Sequence, residues 1–216
     1  MELFDALTPL FDEASAAINA VHRRPVNLRK VELTSSEATL RGARSNVSLP
    51  EAGVSEQESI SAYSLLAPEA ISEIIRTFAR APLQVFARID VLAGGSGRPT
   101  GDTARLTQLA DIIAARRSEK FISAIVHAEI LSGRMFGSRS GTVARVGMRL
   151  AAINSGFDPR GLVVPEPQLK REEKAYVAAS KSYFTLPEEF FALHARAFLS
   201  GVAEAESIAR QASGSA

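Results

Sequence analysis

The chain has 216 residues, 46% of them hydrophobic and 23% charged, with a net charge of +1. It is long enough to bury a sizeable core in one domain, or one domain with a small appendage, and too neutral for bulk electrostatic capture of nucleic acid. It contains no cysteine, which excludes disulfides, thiolate metal sites and cysteine nucleophiles.

The opening stretch MELFDALTPLFDEAS is acidic and amphipathic, not a basic region followed by an apolar core. No signal peptide is read there, and no segment approaches the roughly 18 uninterrupted apolar residues of a membrane span. A cytoplasmic protein is the expectation. Leu3, Leu7, Leu10, Phe11, Ala14, Ile18 and Val21 recur at helical spacing, and Pro25 closes that segment. Residues 28–45 read as a second helix weakened by Thr34, Ser35 and Ser36. Residues 46–61 read as a polar loop broken by Pro50 and Gly53. PEAISEIIRTFAR then starts well at Pro68, with Ile71, Ile74, Ile75 and Phe78 on one stripe. After Pro82 a further helix runs until Gly94 and Gly95.

GGSGRPTGD at 94–102 has glycines but lacks the preceding strand of a dinucleotide fingerprint, so it reads as a connector or short flap. Asp102 is a good N-cap for TARLTQLADIIAARR. FISAIVHAEIL, within 120–131, reads as buried on most sides, and 142–155 as another buried helix ended by Gly156. The tail reads as helices over 167–182 and 187–212, the last started by Pro187, Glu188 and Glu189. Only LVVP at 162–165 looks strand-like. The predicted fold is all-α.

The segment GRMFGSRSGTVAR at 133–145 joins two of these helices. The first amides of a helix lack intrahelical partners and carry partial positive charge, so such a turn holds anions, typically phosphate. Arg134, Arg139 and Arg145 add cations. Twenty of the 25 basic residues are arginine, the better bidentate phosphate ligand, although a GC-rich genome gives the same bias. The loop is not a Walker A motif, and a plain helix–helix connection with small residues fits the spacing too. Arg145 and Arg149, four apart, either reach a bound phosphate or pair with acids such as Glu166 or Asp158. The three histidines, His22, His127 and His194, form no metal-binding spacing, and no metal site is expected. His127 reads as a core residue, His194 as a surface or interhelix one.

The order of these parts resembles the Fic (Fic/Doc) family, whose motif is HxFx[DE]GNGRxxR. Over the window Arg134–Arg145, Phe136, Gly141 and Arg145 match. Family members often carry another histidine seven residues before the catalytic one, and His127 stands seven before Arg134. MRLAAINSGFDPRGLVVPE and the helix with Tyr176 also look like the family's continuation, so the resemblance spans roughly 70–185. It implies a Fic-like helical bundle, with room for a short β-hairpin flap, formed by 67–216 and preceded by N-terminal helices and a loop over 1–66. It also implies AMP transfer from ATP to a protein hydroxyl, with a histidine base, a carboxylate-held Mg²⁺ and a phosphate-cradling turn.

This window departs from the motif at each reactive place. Arg134 stands at the base position and cannot accept a proton. Ser138 replaces the Mg²⁺ carboxylate, Arg139 the first glycine, Ser140 the asparagine and Thr142 the first arginine. Ser35 to Gly42 is similar to the family's inhibitory [ST]xxxE[GN] helix, with Arg41 in place of the glutamate that would pair with Arg145. The expectation is a degenerate transferase, inactive in AMPylation, that binds a nucleotide or other phosphate ligand through Arg134, Ser138, Arg139, Ser140, Gly141, Thr142 and Arg145. ATP or another nucleotide is the ligand class; Mg²⁺ is not expected. The alternatives are a non-enzymatic regulatory or interaction module, with a protein partner or a second copy, and a divergent nucleotidyl or phosphoryl transferase using His127 as base. Neither nucleic acid nor membrane is an expected partner.

Overall fold

The computed structural model describes residues 2–116 and 120–214, with side chains from position 4, and every regular element among them is helical. In chain order these are α1 (Glu2–His22), α2 (Pro25–Arg29), α3 (Val31–Asn46), α4 (Glu56–Tyr63), α5 (Pro68–Arg80), α6 (Pro82–Leu92), α7 (Thr103–Ala114), α8 (Ile122–Ser132), α9 (Ser140–Ser155), α10 (Glu166–Arg171), α11 (Glu173–Ser182) and α12 (Pro187–Gly214). Short 3-10 turns follow α4 and precede α9. The side chain of Leu3 and the whole of Arg117 lie outside the described residues.

The hairpin pair α8–α9 forms the centre. From Ile122 to Leu131 every side chain except Glu129 is buried, and from Ser140 to Ala152 all are. A helix without an exposed face belongs inside, and the other helices wrap this pair. Leu7, Phe11, Ala14, Ile18 and Val21 of α1 are buried at alternating spacings of four and three, the expected stripe. They meet α12, with Phe11 stacked on His194 and Phe4 on Phe191. Phe78 and Phe86 lock α5 to α6 edge-on at 5.7 Å. Residues on both sides of position 66 share one core cluster: Phe11, Tyr63 and Leu66 with Ile74, Phe136 and Phe198.

Three boundaries differ from the sequence expectation. The single helix read over 28–45 is two, because the chain bends at Lys30 (φ −124°, ψ 38°) between α2 and α3. The loop read over 46–61 ends at Ser55, which caps α4: its hydroxyl accepts from Glu58 N at 3.3 Å, and the Glu58 carboxylate accepts from Ser55 N at 2.7 Å. The helix read over 167–182 breaks at Glu172 into α10 and α11.

No β-strand occurs among the described residues, so the anticipated β-hairpin flap is not formed. Residues 94–102 are instead a coil pinned to the motif loop, with Thr100 N and Gly101 N both donating to Met135 O. Among the described residues no helix is long and apolar enough to cross a membrane.

Candidate anion site at the start of α9

The site begins where α8 stops. Arg134 N donates to Leu131 O and Met135 N to Ile130 O, the paired closure of a Schellman turn. The left-handed position of that turn is normally glycine, but here Arg134 occupies it (φ 47°). Gly133, one residue earlier, is right-handed. A non-glycine residue there costs about 1–2 kcal/mol. The exposed Arg134 guanidinium donates through Nη1 to Glu51 Oε1 at 2.7 Å. Glu51 is itself left-handed (φ 52°).

Glu51 belongs to the segment between α3 and α4, which crosses the start of α9 as a strap. Three consecutive strap carbonyls take the donors of the predicted cradle. Pro50 O accepts from Arg145 Nη1 at 3.2 Å, Glu51 O from Gly141 N at 2.7 Å, and Ala52 O from Thr142 Oγ1 at 2.8 Å. The Gly141 amide, expected to be free, is therefore engaged. Glycine is required at 141 because a Cβ would lie 2.5 Å from Pro50 O and 2.6 Å from both Glu51 O and Arg145 Nη2. Asn46, the last residue of α3, anchors the strap. Its Oδ1 accepts from Arg145 Nε at 2.6 Å, and its Nδ2 donates to Thr142 Oγ1 at 2.9 Å and Ser59 Oγ at 3.0 Å.

Arg145 is fully buried. All its partners are neutral: Asn46, Pro50 O and the Tyr176 hydroxyl, the last at 3.2 Å. Its Nη2, over Gly141, has no hydrogen-bond partner. One turn on, Arg149 donates to Ala38 O and Gly161 O and stands 3.7 Å from the buried Glu166 carboxylate, which also accepts from Tyr63. Glu166 is thus the acid that Arg149 meets. Asp158, the other acid considered, instead holds His22 and the Leu162 and Val163 amides. Of the two buried guanidiniums only Arg149 faces a buried carboxylate, so Arg145 leaves positive charge unbalanced beneath the strap.

Tyr176 carries this network to the histidines. Its hydroxyl lies 2.6 Å from His127 Nε2, and His127 Nδ1 lies 3.1 Å from His194 Nδ1. Burial holds both rings neutral: His127 is pushed well below its ordinary range by desolvation, then by His194 and Arg145, and His194 is lowered to about 3 by desolvation. With neutral rings, one arrangement uses the tyrosine hydrogen. Tyr176 accepts from Arg145 and donates to His127, and His127 donates to His194. His194 Nε2 is left without a partner. Burial also raises the Tyr176 hydroxyl, so it stays protonated.

These positions revise several expectations. His127 faces the interior, bonded at both nitrogens and away from solvent. His194 takes the interhelix one of its two expected places, buried against His127 and Phe11. Arg139 turns away from the cradle, donating to Asp90 Oδ1 at 2.8 Å, and this fully buried acid also accepts from Gly97 N. Ser140 spends its hydroxyl locally, accepting from Phe136 N and donating to Gly137 O. Ser138 is exposed, its backbone carbonyl facing Gly53 of the strap. Arg41 does not oppose Arg145. It pairs with Glu37 and Glu204 and reaches Gln211 on α12, while Ala38 and Gly42 are the α3 residues against Arg149.

Gly141, Thr142 and Arg145 come together; Arg134 stands at the rim, and Arg139 is committed elsewhere. Sequence reading missed Asn46, Tyr176 as an Arg145 partner, and the carbonyls of Pro50–Ala52. Asparagine at the end of a helix was the one available signal. Among the described residues no group of three or more His, Asp and Glu side chains could hold a metal ion. No family model matches this chain, and neither does any curated protein or solved structure.

Proposed function

We propose that this chain is a Fic-like protein that has exchanged AMP transfer for binding, and that the start of α9 recognises a phosphate-bearing ligand, nucleotides included. One observation carries the reading: Arg145 is fully buried without a carboxylate partner, and its unbonded Nη2 lies over the first turn of α9. An uncompensated buried cation is costly, and an anion at a helix N-terminus would balance it. The matches at Phe136, Gly141 and Arg145 support the family. The chemistry supports binding over transfer, because Arg134 cannot accept a proton and His127 is sealed in the core. Mg²⁺ is not needed, since Ser138 replaces the metal carboxylate while Asp90 and Glu51 are spent on Arg139 and Arg134.

A regulatory module without a ligand is the second reading, and it would want an apolar docking face on the first or last helix. The large hydrophobics exposed among the described residues are Leu28, Leu33, Leu83, Val91, Phe184 and Leu186, none on α1 or α12. Arg105 lies over the Phe184 ring at 4.3 Å.

Calorimetric titration with ATP, ADP and AMP tests the binding reading. Heat independent of Mg²⁺ is expected, together with no label transferred from ATP to proteins of a lysate. Absence of heat at millimolar ligand sinks the proposal, and label transfer returns the protein to the enzymes.

A further inference from the structure

We propose that the strap Pro50–Gly53 is a displaceable internal ligand, which the Glu51–Arg134 ion pair latches over the anion site. The inference rests on the binding reading above and specifies both the ligand chemistry and its control. The strap presents three successive oxygen acceptors to an arginine, a helix-end amide and a hydroxyl, the donor set that a phosphate monoester's terminal oxygens would take. Neutral carbonyls satisfy these donors' geometry and leave their charge unbalanced. A phosphate would satisfy both, so strap and ligand compete for the same atoms.

Apart from the buried Ala52, the strap is held by its three carbonyls and by one ion pair. Glu51 and Arg134 both hold left-handed backbone, and their side chains meet at 2.7 Å where solvent reaches them. Gly53 is also left-handed (φ 57°), and its lack of a side chain lets the strap lie against the Ser138 carbonyl. A buried Leu49 and a capped α4 fix the segment at either end. Movement is thereby confined to the few residues between, two of them already in αL. A cleft of about 150 Å³ lined by Pro50, Glu51, Ser132, Arg134, Tyr176 and Lys181 opens beside the strap, a way in for a phosphate-sized group.

The full-length chain with Glu51→Gln and, separately, Arg134→Gln tests this. Both substitutions remove the exposed ion pair, and each also removes one charge at the rim of the cleft. Hydrogen exchange at the Gly141 amide reports strap opening, and calorimetry with inorganic phosphate and with ADP at fixed ionic strength reports the site. A ligand that binds only the open form gains affinity by the factor by which the open fraction rises. For an exposed pair worth about 0.2–1 kcal/mol, that factor is roughly 1.4- to 5-fold in both readouts.

A latch raises phosphate affinity in both variants, although one loses a negative charge and the other a positive one. Opposite shifts in the two variants mean that the pair acts only through charge, and overturn the latch while the anion site stands. Unchanged Gly141 exchange does the same. Faster exchange with no phosphate or ADP binding in any variant overturns the anion site itself, and the competition with it.

Discussion

Arg145 and Arg149 stand one turn apart on α9, equally buried, and are held in opposite ways. Arg149 faces α3 and α10, where Glu166 supplies a buried counter-charge and two carbonyls accept from Nη1 and Nη2, its Nε alone being unbonded. Arg145 faces the strap and Tyr176, where every partner is neutral. A buried guanidinium with its own carboxylate is part of the framework. One without it has capacity left for an anion. The contrast separates an arginine with a buried counter-charge from one without on the same helix face, which spacing alone could not do.

The largest test of that contrast is the cost of removing each charge. Arg149→Met leaves Glu166 buried without its cation and is expected to cost about 3–5 kcal/mol in urea denaturation, with part recovered by adding Glu166→Gln. Arg145→Met strands only neutral acceptors and is expected to cost about 1–3 kcal/mol. Equal costs would erase the distinction.

The second test is acid. The network beyond Arg145 ends in His127 and His194, which burial keeps neutral, with the Tyr176 hydroxyl and Arg145 facing them. Their folded pKa values lie below the unfolded value, so the unfolded chain takes up protons that the folded one refuses. Stability from these rings is complete above about pH 6.5 and drains as pH falls, by up to roughly 1.4 kcal/mol per pH unit for each ring. Denaturation at pH 7.5, 6.0 and 5.0 should show this, and His194→Gln should flatten the slope. A wild-type slope that His194→Gln leaves unchanged would place the acid sensitivity elsewhere.

The third test acts at the strap. Gly141→Ala drives a methyl against Pro50 O, Glu51 O and Arg145 Nη2, at an expected cost of about 1–3 kcal/mol, and accelerates hydrogen exchange over the strap. Unaltered exchange would mean that the strap yields without leaving.

Helices with strong local signals were legible in the sequence. Pro68, Pro82, Pro187 and Asp102 begin helices, and Gly156 ends one left-handed (φ 80°). The start of α4 was also legible but passed over: Ser55 followed three residues later by Glu58 is a capping box inside a segment whose polarity reads as loop. The breaks at Lys30 and Glu172 fall on residues that are neither glycine nor proline, so the sequence carries no local signal for them. At the site, the loop's place before a helix and the motif resemblance pointed to Gly141 and Arg145 among the seven residues named. Neither could show that main-chain carbonyls 90 or so residues earlier fill the cradle, since a backbone acceptor has no residue type. Arg134 in a glycine's conformation, and Arg139 turned to Asp90, are likewise products of tertiary contact.

The packing of α1 against α12 bears on how the chain is made. Phe4 and Phe11 find their ring partners in Phe191 and His194, nearly the full chain away, and Val21 shares a cluster with Leu162 and Ala205. During synthesis the first helix emerges with its apolar stripe uncovered; Phe121 and Phe157 cover part of it first, and α12 completes the cover. The central α8–α9 pair closes early through local contacts, but His127 gains its His194 partner only at the end. Pairings of such long range also slow folding.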